Sequence, residues 1–394
     1  MKKHIVEYLS QTDFYKLNMG ELYFHKRPNE YAKWEFKLRS KDVHLGYMYE
    51  RVNEELDHLC TLQWQPFELD YLRKITWMSP DYIDWLEDLR LKRKYITVKR
   101  VGEDLEILAE GPQLKVFWFE IYVLKIIQQI YFETEQLNWE KAKANLDEVI
   151  KNFNDAIERG NKFTVADFGI RRSVNDEWNE YMVQTMRDKC KAFVGTSNVY
   201  LAIKYNVKPI GTFAHELYAV YQGLKDVPVA QAQTQVLEDW TKEFRGELGI
   251  ALSDNFGFKA FLNDFDKYYA KLFDGCRHDS GDPIKWGEML IEHYNKLGID
   301  PKTKVGCWSD SLDDKKAVEI AEHFNGRINV SFGIGTFLSA TVCGTEKKPL
   351  SMVMKVIEVN GKPVVKLSDS TGKTMCHDNE YIDYVKKVYN YEHI

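Results

Sequence analysis

Arg277-His278-Asp279-Ser280-Gly281-Asp282-Pro283 sets a guanidinium, an imidazole, two carboxylates and a hydroxyl around one glycine. Groups of this kind bind anions and sugar hydroxyls, and nothing in the run reads as core. Phe273-Asp274-Gly275-Cys276 leads into it, and Pro283 to Leu290 follows with a leading proline and apolar residues on one side, which predicts a helix. A strand end that hands polar groups to a helix start is where α/β enzymes hold their reactive side chains.

Other loops have the same character. Ser331-Phe332-Gly333-Ile334-Gly335-Thr336 offers glycines whose N–H groups can approach a phosphate, with the Thr336 hydroxyl beside them; a tight turn is the alternative. Gly211-Thr212-Phe213-Ala214-His215-Glu216 presents an imidazole with a carboxylate next to it that could orient it, suited to a nucleophilic or acid/base role. Phe168-Gly169-Ile170-Arg171-Arg172 supplies two cations for phosphate or carboxylate, or a helix start with exposed arginines. Asp254, Asp279, Asp282 and Asp310 could hold Mg²⁺ through water, grip ribose hydroxyls, face a sugar cation, or cap helices. Carboxylates at three such tips beside a glycine cradle point to a phosphorylated sugar.

The elements that must position these groups alternate. Apolar strands are expected at Phe163–Phe168, Ala192–Val194, Pro209–Ala214, Ile250–Ser253, Asp274–Arg277, Lys304–Trp308 and Arg327–Phe332, with helices between. That pattern predicts an α/β fold with an irregular (β/α) barrel over 136–349 whose strand tips share one pocket; a doubly wound sheet is the alternative. Residues 1–135 read as an α+β domain. It contains a strand at Tyr31–Leu38, a hairpin about Gly102-Glu103-Asp104, and a helix at Leu114–Phe132; a second helix runs Trp139–Arg159 and stops at Gly160. Residues 350–394, with strands at Met352–Val359 and Val364–Leu367 about Asn360-Gly361, are expected to rejoin that first domain.

Composition narrows the class. With 54 basic and 60 acidic residues the net charge is −6, which argues against nucleic acid as the main partner, and the basic run Arg90–Arg100 reads as a solvated face. Cys60, Cys190, Cys276, Cys307, Cys343 and Cys376 are scattered without metal or redox spacing, which fits a reducing compartment. Met1 to Glu7 turns polar too early for a secretory signal, and the Leu114–Phe132 run carries too many polar residues for a membrane span. A soluble cytoplasmic protein is expected.

Taken together, Thr12-Asp13-Phe14-Tyr15-Lys16, Phe168 to Arg172, Gly195-Thr196-Ser197-Asn198-Val199, Gly211 to Glu216, Arg277 to Pro283, Ser331 to Thr336 and Asn360 to Asp369 resemble, in order and from end to end, the bacterial ATP-coupled nicotinate phosphoribosyltransferases. The resemblance implies transfer of phosphoribose from phosphoribosyl pyrophosphate to nicotinate, giving nicotinate mononucleotide and pyrophosphate in NAD salvage, with ATP hydrolysed through a transient phosphohistidine at His215. It implies Mg²⁺ held mainly by pyrophosphate and water, and a homodimer whose sites the neighbouring subunit's N-terminal domain completes. Arg277 would lie near the pyridine carboxylate, as would Arg171 near the ring beside Phe168. Asp279 and Asp310 would approach the ribose hydroxyls, with Asp254 and Ser280 also in the site, and Gly333, Gly335 and Thr336 the 5′-phosphate. Tyr15 would stack on the ring from across the dimer, and Arg39 would reach the pyrophosphate.

Ser197 stands where related nicotinamide enzymes carry an aspartate, which suits a carboxylate substrate because a second anion would repel it. Many relatives have a third arginine where this chain has Ser173. The alternatives on the same architecture are a nicotinamide or quinolinate phosphoribosyltransferase, and a nucleotide sensor without turnover. The pyridine nitrogen has a free lone pair, so no general base is required; alignment and electrostatics carry the reaction, with Mg²⁺ neutralising the departing pyrophosphate.

Overall fold

The structure, a computed structural model, describes residues 3–369 and 374–392. Strands β1 (Tyr31–Leu38), β2 (Ile96–Val101) and β3 (Asp104–Pro112) come first. The middle of the chain gives β4 (Phe163–Asp167), β5 (Phe193–Thr196), β6 (Lys208–Pro209), β7 (Ile250–Leu252), β8 (Gly275–His278), β9 (Val305–Trp308) and β10 (Asn329–Ile334). Last are β11 (Met352–Val359) and β12 (Lys362–Pro363).

Two sheets result. The middle strands form a parallel sheet in the order β6-β5-β4-β10-β9-β8-β7, curled into a half-barrel, as the strand–helix alternation predicts. No pairing joins β6 to β7 among the described residues; a single bond from the Thr212 hydroxyl to the Ile250 carbonyl (2.7 Å) crosses that gap. The second sheet is antiparallel, β12-β11-β1-β3-β2, so the late strand β11 pairs along the whole of β1. This return brings residues near 355 to the strand tips of the half-barrel.

Local chemistry explains the boundaries. Gly102, at φ 61°, turns β2 into β3 at the expected hairpin, and Asn360 and Gly361, both at positive φ, turn β11 into β12. The helix Trp139–Glu158 begins where the Asn138 side chain accepts the Lys141 N–H, and Gly160 at φ 95° follows its end. Asp282 caps the helix Pro283–Lys296 by accepting the Lys285 N–H at 2.7 Å, so of the carboxylates weighed for the site it is the one used as a cap.

Four expectations are corrected. The Leu114–Phe132 helix is two, Gln113–Val116 and Phe119–Phe132, parted where the adjacent rings of Phe117 and Trp118 reach different partners, Tyr23 and Trp64. Pro209–Ala214 is not a strand beyond Pro209. The chain leaves the sheet at Gly211 to pass the first helix (Phe14–Lys26), where a β-carbon would lie 3.0 Å from the Tyr15 nitrogen and Asn18 takes the Gly211 carbonyl. Val364–Leu367 is buried but forms no ladder: Val364 N–H bonds the Ile357 carbonyl of β11, the Gln222 side chain bonds both backbone groups of Val365, and Leu367 N–H goes to the Asn255 carbonyl. His278 and Ser280, in the run that reads as non-core, are buried; His278 packs edge-on to Trp286.

Trp286 shows how the core holds the site. It is fully buried, meets Trp308 edge-to-face at 5.2 Å and donates its indole N–H to the Ser253 hydroxyl at 3.0 Å. The helix after β8 is thereby pinned to the ends of β7 and β9, and removing the ring would cost about 3–5 kcal/mol.

Candidate active site

β4 ends in Asp167, wholly buried beneath the strand tips. It accepts the Gly169 N–H at 2.9 Å and the Thr196 hydroxyl at 2.7 Å, so one carboxyl ties the loop bearing Phe168 and Arg171 to the loop bearing Ser197. Burial outweighs those bonds and pushes its pKa up to about 7.

His215 opens the helix His215–Gln222. Its Nε2 lies 2.8 Å from Asp254 Oδ1, and because an ionised carboxylate only accepts, Nε2 carries the proton and Nδ1 the lone pair. Burial, with the nearby Lys366 ammonium, lowers the imidazole to about 4 against the pull of Asp254 and Asp279. Lys366 Nζ sits 3.2 Å from the other Asp254 oxygen and 3.7 Å from Asp279 Oδ2; Ser280 donates to that same Asp254 oxygen. Burial opposes ionisation of Asp254 and Asp279, but Lys366 foremost outweighs it and holds both below the usual carboxylate range. Glu216 does not orient the histidine, contrary to the sequence reading. In the first helical turn its side chain diverges from that of His215, and it pairs with the buried Lys16 of the first helix.

These tips open on a cavity of about 450 Å³. Its wall includes Tyr15, Arg39, Phe168, Arg171, Ser197, His215, Arg277, Asp279, Asp310, Gly333, Gly335 and Thr336, twelve of the fourteen residues singled out from the sequence. The other two are not on the wall: Asp254 holds His215, and Ser280 holds Asp254. Arg277 lines the cavity, and its buried Nε has no hydrogen-bond partner among the described residues. Asp279 is steadied by the Ser309 hydroxyl at 3.0 Å. Gly333 and Gly335 admit Phe168: a β-carbon at Gly333 would lie 2.1 Å from its ring, and one at Gly335 2.9 Å from its carbonyl oxygen.

The two arginines divide their work. Arg171 faces the cavity, 3.4 Å from Asp13 and 3.3 Å from Glu120. Arg172 donates to the carbonyls of Leu350 and Met352, both at 2.6 Å, fastening the turn to the start of β11. Ser173 is buried with its hydroxyl on the Asn175 carbonyl, outside the cavity wall. Hard oxygen donors and an imidazole cluster at His215, Asp254 and Asp279, whose ligand atoms lie within 4.8 Å of one another, a set that fits a divalent cation.

Comparison with known proteins agrees with this geometry. The family model described as the nicotinate phosphoribosyltransferase family matches residues 163–393, and the model of its N-terminal domain matches 11–128. The nicotinate phosphoribosyltransferase of Herminiimonas arsenicoxydans is 44% identical over 98% of both chains, and that of Chromobacterium violaceum 42% over 98% of this chain and 97% of its own. The chain belongs to the nicotinate phosphoribosyltransferase family. Among solved structures, the nicotinate phosphoribosyltransferase from Vibrio cholerae superposes with a TM-score of 0.92 at 32% identity, covering 100% of this chain and 95% of that one. A Saccharomyces cerevisiae structure titled as a putative nicotinate phosphoribosyltransferase gives 0.89 at 27% identity, covering both chains fully.

The resemblance to nicotinate phosphoribosyltransferases implies a Tyr15 that stacks from across a dimer; the same residue also has a place within its own chain. Tyr15 lines the cavity of its own chain, packed on Gly211 with the Arg171 guanidinium 6.0 Å from its ring, and Arg39 lines the same cavity. The N-terminal domain reaches its own half-barrel because β11 returns to β1.

Several residues of this family member's site were not singled out. Asp13 accepts the Ser197 hydroxyl, so a carboxylate stands beside the serine after all. Lys355 enters the cavity from β11, its pKa lowered to about 7 by burial and the nearby Lys366 and Arg39. Lys366, Glu120 and Glu216 also line it. The available signal was a charge set among apolar neighbours, as in Val364-Val365-Lys366-Leu367.

Proposed function

We propose that this chain transfers the 5-phosphoribosyl group of phosphoribosyl pyrophosphate to nicotinate in the cytoplasm, yielding nicotinate mononucleotide and pyrophosphate for NAD salvage, with ATP hydrolysis coupled through a transient phosphate on His215. The observation that carries the reading is one cavity shared by three chemistries. An aromatic and cationic set (Tyr15, Phe168, Arg171, Arg277) shares the wall with the carboxylates Asp279 and Asp310, the glycine tip of β10 and His215.

The nitrogen lone pair of nicotinate forms the bond to ribose C1 as the bond from C1 to pyrophosphate breaks, and the electron pair leaves with pyrophosphate. Arg277 and Arg171 aim the pyridine carboxylate, and Phe168 and Tyr15 enclose the ring. Asp279 and Asp310 face the positive charge that develops on the sugar. Lys355 and Arg39, on the same wall, offer positive charge to the leaving pyrophosphate. Asp279, on the cavity wall, would help to hold Mg²⁺ that arrives with pyrophosphate and water, an ion that would supply further charge neutralisation.

In the coupled step the His215 Nδ1 lone pair attacks the γ-phosphorus of ATP, the bond to the β-phosphate oxygen breaks and ADP leaves. Water later takes the phosphoryl group and restores the imidazole. A neutral imidazole with its proton fixed on Nε2 by Asp254 is the form this step needs. The chain would act as a homodimer with shared sites, as its resemblance to this family implies. The test is nicotinate mononucleotide formation with and without Mg-ATP, with nicotinamide and quinolinate assayed beside nicotinate. His215→Ala should abolish ATP stimulation and the acid-labile phosphate label; full stimulation in that variant would reject the phosphohistidine, and no product from nicotinate would reject the transferase.

A further inference from the structure

We propose that Lys16 is a positioning residue for this reaction. Its buried ammonium ties the helix that begins with His215 to the arginine facing the pyridine slot, through Glu216 on one side and Glu120 on the other. The proposal rests on the roles given above to His215 and Arg171 and adds to them a buried residue outside the cavity wall.

The contacts form one continuous chain. The Lys16 side chain is wholly buried; Nζ pairs with Glu216 Oε2 and lies 2.7 Å from Glu120 Oε2. Glu216 is further fixed by the Tyr23 hydroxyl at 3.3 Å, and Glu120 reaches Arg171 Nη1 at 3.3 Å. Arg171 continues to Asp13, and Asp13 to the Ser197 hydroxyl. Five segments remote along the chain meet here: the start of the first helix, the helix Phe119–Phe132, the turn after β4, the loop after β5 and the helix His215–Gln222. Glu216 is the residue after His215 in the same helical turn, so its tether fixes where that helix starts and where the imidazole stands.

Charge explains why a lysine serves. Asp13, Glu120 and Glu216 are three carboxylates served by two cations, Lys16 and Arg171, each bridging two of them. Without the ammonium, nothing would bridge Glu216 to Glu120, and the helix start would lose its tie to the arginine. The rings of Trp34 and Phe117, 4.8 and 5.2 Å from Nζ, complete a cage that favours a cation over a neutral group. Buried ion pairs add little stability over an apolar isostere, and registry is their best-attested use.

The test compares wild type, Lys16→Met, Lys16→Arg and Glu216→Gln by KM for nicotinate, KM for phosphoribosyl pyrophosphate, ATP-stimulated kcat and melting temperature. Lys16→Met should lower ATP-stimulated kcat/KM for nicotinate by about 100-fold, the scale of a small misplacement of reacting groups. Its KM for phosphoribosyl pyrophosphate should hold, and Lys16→Arg should recover part of the loss. Should Lys16→Met fail to fold, Lys16→Arg and Glu216→Gln carry the test, each expected to shift nicotinate KM and ATP stimulation together in a folded protein. Folded variants with wild-type nicotinate KM and ATP stimulation, beside an active wild type, overturn the positioning role alone; a wild type that makes no product overturns the transferase reading and this role with it.

Discussion

His215 and Asp254 share a hydrogen bond of 2.8 Å in which the carboxylate is the more deeply buried partner. The bond leaves Nδ1 as the open nitrogen, 3.7 Å from Asp279. In Asp254→Asn the amide can donate to Nε2, which moves the ring proton to Nδ1 and takes away the lone pair on the open side. ATP stimulation of product formation should fall about 10- to 100-fold, the usual cost of losing such an orienting partner. Lys366, 3.2 Å from the lost charge, would be left with Asp279 alone, so the melting temperature should drop as well. Steady-state assays at saturating and zero ATP read the first effect; unchanged stimulation would mean that the tautomer is set elsewhere.

The pH profile follows from the same surroundings. An ordinary histidine titrates near 6.5 and would lose its lone pair progressively below that. Burial, then Lys366, lowers His215 to about 4, so protonation is displaced downward and the neutral ring persists through the mildly acid range. ATP-stimulated turnover should therefore show no inflection near pH 6.5 and should decline only on approach to about pH 5, where roughly a tenth of the rings are charged. Stimulation that halves near pH 6.5 would show that the ring is more solvated than its neighbours indicate.

How much of this was legible beforehand depends on the kind of signal. Polar residues directly after apolar runs gave the strand tips, because a parallel strand must end where its helix begins; Arg277, Asp279, Asp310 and Thr336 were found this way, and all line the cavity. Side chains that act from behind the wall carry no such mark. Asp254 and Ser280 could be placed in the site but not at the back of His215, because their roles depend on which strand lies beside which. Adjacency misled at His215-Glu216, since neighbouring residues on a helix point about 100° apart and Glu216 turns toward Lys16. The failed strand at Val364–Leu367 has a similar cause. Its apolar residues are buried, but after one bond from Val364 N–H to β11 the partners are the Gln222 side chain and the Asn255 carbonyl, not a strand.

Ser197 and Asp13 give a prediction about substrate choice. The serine hydroxyl donates to Asp13, itself buried and paired with Arg171, so the slot already contains one compensated carboxylate. Ser197→Asp would place a second beside it, remove the donor and leave one guanidinium to serve both and the incoming nicotinate. KM for nicotinate should rise about tenfold or more, since opposed like charges cost several kcal/mol. Nicotinamide, which has no charge to repel, should be affected much less. Measuring both bases on both proteins decides the matter; equal increases would indicate a general disturbance of the slot and not a reading of the carboxylate.

Gly333 separates two explanations of the glycine tip. A β-carbon there would lie 2.1 Å from the Phe168 ring, far inside contact distance, while the Gly333 N–H would remain in place. If the glycine serves the packing of Phe168 against the end of β10, Gly333→Ala should push that ring into the slot. The expected result is a stability loss of about 1–3 kcal/mol, as for other overpacked sites, with a raised KM for nicotinate and a nearly unchanged KM for phosphoribosyl pyrophosphate. Combining it with Phe168→Ala makes room for the methyl group, so the double variant should be more stable than the additive sum of the two single changes while nicotinate binding stays weak. The opposite pattern, in which KM for phosphoribosyl pyrophosphate rises and that for nicotinate holds, would mean that the methyl group blocks the phosphate itself and that the cradle, not the ring, is what the missing side chain protects.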